Sequence, residues 1–154
     1  MSDKEIVLTV ARRVLEDVAP TESEVFDVFG DRFLVSADQL QDRSLEQMPA
    51  ELGFGLGEAA TFLTPWIILV AREVLPLARE TILEVVKLRL QKKLPLQRDE
   101  VSNASLAQLE NSVLRSLKQR GFKGRELRKI TRATVQIVLF DKQVAPQLQR
   151  LIGR

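Results

Sequence analysis

Eight cations, Arg115, Lys118, Arg120, Lys123, Arg125, Arg128, Lys129 and Arg132, lie in one short stretch of this chain against the single carboxylate of Glu126. Guanidinium and ammonium groups at this density recognise anions, and arginine can hold a carboxylate or phosphate with two parallel hydrogen bonds. Arg125, Arg128, Lys129 and Arg132 follow i, i+3, i+4, i+7 spacing, which at 100° per residue confines them to about 100° of arc on one helix face. Leu127, Ile130, Thr134, Ile137 and Val138 centre on the opposite side. A basic amphipathic helix of this kind has three readings: a solvated surface, a surface for acidic lipid or an acidic partner, or the second helix of a helix-turn-helix over 106–139 placed in a DNA groove. Against base reading, Thr131 turns toward the apolar side, Gln136 lies far along the helix, and no aromatic stands among the four cations. Phosphate contact alone would remain open to it.

What the chain lacks narrows the chemistry further. With no Cys there is no thiolate, disulfide or zinc–thiolate site, and with no His there is no group titrating near neutrality unperturbed. Carboxylates and arginines could still serve phosphoryl or glycosyl transfer, but neither a Gly-rich phosphate loop nor a convergent carboxylate pair is legible. The expectation is a protein that is not an enzyme and takes no cofactor or metal. Charge is divided along the chain: residues 1–60 hold 5 Lys and Arg against 13 Asp and Glu, and residues 61–154 hold 18 against 8.

The elements that must position these groups read as helices. Hydrophobic content of 45% with 29% charged residues over 154 positions suits one globular domain, and a 5% aromatic fraction favours aliphatic helix packing. Ser2-Asp-Lys-Glu5 has the form of a capping box before Ile6, Val7, Val10, Val14, Leu15 and Val18, predicting a first helix that Pro20 breaks. Thr21-Glu-Ser-Glu24 predicts a second over 22–35, although the same residues could form two strands turning at Gly30-Asp31. Residues 36–51 read as an exposed connection, so that 36–63 serves as linker plus a Gly-rich apolar segment. Thr64-Pro65 opens a long central helix over 64–94, bent where Pro76 removes the bond to the Arg72 carbonyl. Ser105 with Gln108 caps a helix burying Leu106, Leu109, Val113 and Leu117. Gly121 ends it, with Phe122 placed for a Schellman contact on Leu117. A helix over 125–139 and a short turn after Pro146 follow, so 105–154 forms the basic C-terminal helices and 1–35 the acidic N-terminal ones. The expected fold is all-α, a single-domain bundle of five or six helices around the long Pro-bent one.

Leu52 to Ala71 carries one charge, Glu58, in an otherwise charge-rich chain. Its length just matches the roughly 20 residues of a membrane span, but three glycines and Thr64-Pro65 interrupt it. Buried core and membrane contact both remain open. Leu52, Phe54, Leu56, Phe62 and Trp66 are the expected apolar association segment. The N-terminus lacks a basic leader before an apolar run, so a cytoplasmic location is expected, with peripheral contact at the inner membrane face.

The order of elements and the phrases Ala11-Arg-Arg-Val-Leu-Glu-Asp-Val-Ala-Pro20, Leu52-Gly-Phe-Gly55, Leu63-Thr-Pro65 and Val70-Ala-Arg-Glu-Val-Leu75 resemble a loose group of small bacterial proteins often grouped with conflict or defence systems. The resemblance implies a non-enzymatic component working with a partner protein or by self-association, with a membrane surface as a second setting. It carries over no catalytic residue. Nucleic acid is the alternative partner, through the 106–139 segment.

Overall fold

Aliphatic side chains recurring at helical spacing bury one face of α1 (Asp3–Val18), where Ile6, Val7, Val10, Val14 and Leu15 are enclosed. The computed structural model describes residues 3–40, 63–87 and 96–152. Ala19 is the joint to the next helix: its N–H bonds the Leu15 carbonyl at 2.7 Å, and its own carbonyl accepts from Glu22 at 2.9 Å. Pro20, which has no N–H to leave unpaired, is then the first residue of α2 (Pro20–Leu40).

Residues 22–35 are therefore helix and not a hairpin. The helix also runs five residues beyond the predicted end, so 36–40 is not linker. Phe33, Ala37 and Leu40 fall at i, i+4, i+7 and are buried together with Ser36, which shows why a stretch poor in large apolar residues still packs as helix.

The spine is α3 (Thr64–Lys87), which touches each of the other α-helices among the described residues. Its first two turns, Thr64 to Ala71, are buried on every side, whereas from Val74 onward only one stripe is enclosed, through Ala78, Thr81, Ile82 and Val86. The helix continues through Pro76, whose exposed ring lines an open groove of about 330 Å³ with Lys4, Val7, Leu34, Arg72 and Leu75. The predicted continuation to 94 and the Gly-rich stretch lie outside the described residues. At its start, Glu22 of α2 accepts from the N–H of Leu63 (2.7 Å), the N–H of Thr64 (3.1 Å) and the Thr64 hydroxyl (2.9 Å). A carboxylate on unpaired first-turn donors is a stabilising arrangement, here supplied by a neighbouring helix.

After one 3₁₀ turn (Arg98–Glu100), α4 (Asn103–Gln119) begins three residues earlier than predicted, with Ser102 as its cap accepting from the Ser105 N–H at 3.1 Å. Its end follows the sequence closely. Gly121 takes φ 92°, the left-handed conformation that favours glycine, and the Phe122 N–H reaches back to the Leu117 carbonyl at 3.1 Å. α5 (Gly124–Phe140) and α6 (Ala145–Ile152) complete an all-α fold of six α-helices with no strand among the described residues. Asp141 at their junction accepts from the N–H groups of Gln143 (3.0 Å) and Val144 (3.1 Å), and from Arg13 of α1 at 2.9 Å.

Burial of the spine sets the expected response to truncation. Ile82 is fully buried in the second half of α3, so Ile82→Ala should lower the unfolding free energy by about 2–5 kcal/mol. Denaturant titration checks this, and a loss below about 1 kcal/mol would mean that the site collapses around the deletion or is not enclosed in solution.

Candidate basic interaction face

The α4 and α5 helices form a hairpin held to the spine by two contacts at its turn. Phe122 meets Trp66 of α3 edge to face, with ring centroids 6.2 Å apart and planes at 77°. Arg120 turns inward, with only 4% of its surface exposed. Both terminal nitrogens pair with the Glu73 carboxylate of α3, one of them at 3.2 Å, and that same nitrogen donates to the Ser116 carbonyl at 3.1 Å. The Ser116 hydroxyl completes the set by donating to Glu73 at 2.5 Å. Burial pushes the Glu73 carboxyl up, but the hydrogen bonds from Arg120 and Ser116 outweigh it and hold the group below its ordinary value.

Arg120 is accordingly no part of the predicted basic surface. Its position belongs to the buried stripe of α4, through Leu109, Val113, Ser116 and Leu117, one turn further on. Sequence spacing carried that signal, since 109, 113, 116, 117 and 120 share a face, but the charge of the side chain argued for exposure. Trp66 is corrected likewise: it is fully buried inside one chain and cannot anchor an association segment. Leu52, Phe54, Leu56 and Phe62 lie outside the described residues.

The other seven cations are exposed. Arg115 and Lys118 lie on the last turns of α4, Lys123 in the turn, and Arg125, Arg128, Lys129 and Arg132 along the first three turns of α5. No carboxylate among the described residues lies within ion-pair distance of any of them, whereas Arg12, Arg13, Arg72 and Arg120 are all paired. Lys123 provides no side-chain cap to α5, and Gly124 enters the helix at φ 68° with open space around it. The apolar side of α5 is committed to the core through Leu127, Ile130, Thr134, Ile137 and Val138. Thr131 and Thr134 spend their hydroxyls on the Leu127 and Ile130 carbonyls, both at 2.8 Å. What projects outward is thus mostly donors and positive charge, beside the one exposed carboxylate of Glu126.

A second charged joint steadies the hairpin from the far end. Arg13 of α1 bonds both Glu16 and Asp141, and its pKa is raised chiefly by the hydrogen bond to Asp141. For Asp141, burial raises the pKa, but Arg13 and the N–H groups of Val144 and Gln143 lower it by more. Among the described residues no helix is long and apolar enough to cross a membrane, and no three carboxylates gather in a way that could hold a metal ion. No protein family, curated protein or solved structure matches this chain. Where the phrases behind the resemblance fall on described residues, at Ala11–Pro20, Leu63–Pro65 and Val70–Leu75, they form the core and helix junctions.

Glu73 and Asp141 both bind a proton less readily folded than unfolded. Their contribution to stability is complete above the ordinary carboxylate range near 4 and is lost as pH falls through their lower folded values. Glu73→Gln should reduce stability near neutral pH by about 1–3 kcal/mol, because it strips a buried guanidinium of its charged acceptor. Since 43% of the Glu73 side chain is exposed, solvent screening places the loss toward the lower end. Thermal melts near pH 7 and pH 3 check both statements: the variant should lose less on acidification than the parent. Unchanged stability at pH 7 would mean that packing alone holds Arg120 inside.

Proposed function

We propose that this protein is a non-enzymatic interaction component that docks on an acidic surface, in the first place that of a partner protein, through the exposed cations of α4, the turn and α5. The observation that carries this reading is the clustering of those seven exposed side chains in two adjoining helices and their turn with no carboxylate of the described residues in ion-pair distance, whereas Arg12, Arg13, Arg72 and Arg120 are paired. Like charges gathered on one face repel each other and add nothing to folding, so such a patch fits a role outside the chain itself. A protein surface is favoured over a membrane because interfacial helices insert their apolar side, and that of α5 is occupied by the core. No exposed large aliphatic residue borders the basic face among the described residues, which leaves acidic lipid only electrostatic adhesion. This reading agrees with the partner-dependent role implied by the likeness to small bacterial conflict-system proteins.

Nucleic acid is the second reading, favoured by one observation: a helix–turn–helix order with exposed cations in the first three turns of its second helix. The stripe offers no base-reading side chain beside those cations, so any such binding would rest on phosphate contacts.

The replacement of Arg125, Arg128, Lys129 and Arg132 together by Gln separates these readings, since all four lie opposite the buried stripe and helical content should be unchanged. Binding of a labelled Glu-rich peptide should weaken at least tenfold, equivalent to about 1.4 kcal/mol. Adhesion to phosphatidylserine vesicles, if present, would lose about 1 kcal/mol per charge. For duplex DNA each lost phosphate contact lowers the log–log salt slope by about 0.9. Micromolar DNA binding at physiological salt that the four substitutions abolish, without binding to peptide or vesicles, would replace the proposed function by the second reading.

A further inference from the structure

The bundle has a second unsatisfied surface, on α2. Among the described residues the exposed large aliphatic side chains are Val28 and Val35, at 75% and 57%, seven residues apart and hence on one stripe of the helix. At 100° per residue Glu24, Asp27 and Asp38 run along one edge of that stripe, within about 100° of Val28. Glu24 is exposed, and Asp27 and Asp38, though paired with Arg12 and Arg72, keep more than half of their side chains in solvent. The α1 and α2 helices together carry 9 acidic residues against 4 basic ones, whereas residues 103–152 carry 3 against 10.

The two surfaces are complementary but cannot meet within one molecule. α1 packs against both α2 and α5 and lies between them. The valine stripe and the stripe from Arg125 to Arg132 each span seven residues, about 10 Å of helix. The two stripes thus match in length, so that, laid along each other, they bring the alkyl stems and charged heads of the basic stripe against the valines and the carboxylates at their edge. We propose that the acidic ridge of α2 docks on the basic stripe of α5 in a second copy of this chain. This rests on the proposed function, for which it names the acidic partner. A second copy fits better than an anionic membrane, which the carboxylates along the α2 stripe would repel. Because two different surfaces of each molecule are used, the contact is head to tail and leaves one of each free at the ends, so it propagates or closes into a ring.

The test is sedimentation of the full chain at about 0.01 M and about 1 M salt, between which the screening length falls from about 30 Å to about 3 Å. Two charge-reversed variants complete it: Glu24→Lys with Asp27→Lys, and Arg125→Glu with Arg128→Glu. All four positions are exposed, and circular dichroism with the fluorescence of the chain's one tryptophan, Trp66, reports whether each variant folds. The parent should grow in mass with concentration at low salt and revert to monomer at high salt. Each variant alone should stay monomeric, and their one-to-one mixture should regain association at low salt, because the unaltered pair of surfaces and the reversed pair are then both charge-matched. If a variant misfolds, Val28→Ser with Val35→Ser replaces it and should weaken parent association at least fivefold. A parent that is monomeric at every salt concentration yet binds Glu-rich peptide through α5 overturns the self-copy assignment alone. A parent that binds no acidic surface overturns the proposed function as well, and association that survives both reversals overturns the docking surfaces named here.

Discussion

A guanidinium taken out of water must find a partner for its charge, and Arg120 finds one by reaching the carboxylate of Glu73 on the central helix with both terminal nitrogens. The consequences spread from there. The pairing fixes the end of α4 against α3, Phe122 follows onto Trp66, and Gly121 supplies the left-handed turn that lets α5 start outward from the same point. With α5 held at that end by Arg120 and at the other by Asp141 on Arg13, its apolar stripe faces the core and its cations face solvent. The orientation of the basic face is thus set by two charge pairs that lie beneath or beside it, and neither pair belongs to it.

That separation gives the molecule its electrical character. In α1, α2 and α3 the carboxylates of Glu16, Asp27, Asp38 and Glu73 pair with arginines, and that of Glu22 accepts from the first N–H groups of α3. In the C-terminal hairpin, Glu110 and Glu126 are the only acids of α4 and α5. A surface left in this condition carries a modest internal repulsion, and proteins commonly keep such features where contact with something else repays them.

Much of this was legible in the sequence, for identifiable reasons. Strong periodicity placed α1, α4 and α5, and Gly121 with Phe122 announced the helix ending that the structure contains. The failures came where a residue's type and its position disagree. Arg120 reads as surface by charge but lies on the buried stripe. Ser36 and Ala37 read as linker by composition but fill close contacts in α2. Ser102 caps α4, although the Ser105–Gln108 pair three residues later has the form of a capping box. Glu22, which the sequence sets merely between Thr21 and Glu24 of a capping box, reaches across to Leu63 and Thr64, a contact between residues far apart in sequence that no local rule can supply. Of the eight cations that the sequence gathers in this stretch, seven are exposed and Arg120 is buried against Glu73.

Eight single Gln substitutions at Arg115, Lys118, Arg120, Lys123, Arg125, Arg128, Lys129 and Arg132, each followed by denaturant unfolding at low salt, test this division most directly. Arg120→Gln should lose about 3–5 kcal/mol at most, as expected when a buried pair is broken from one side. The other seven should be neutral within about 0.5 kcal/mol or slightly stabilising, because each relieves repulsion and removes no partner. Losses above about 1 kcal/mol at several of the seven would show that these cations are tied into the fold, and would contradict a surface held free for an acidic partner.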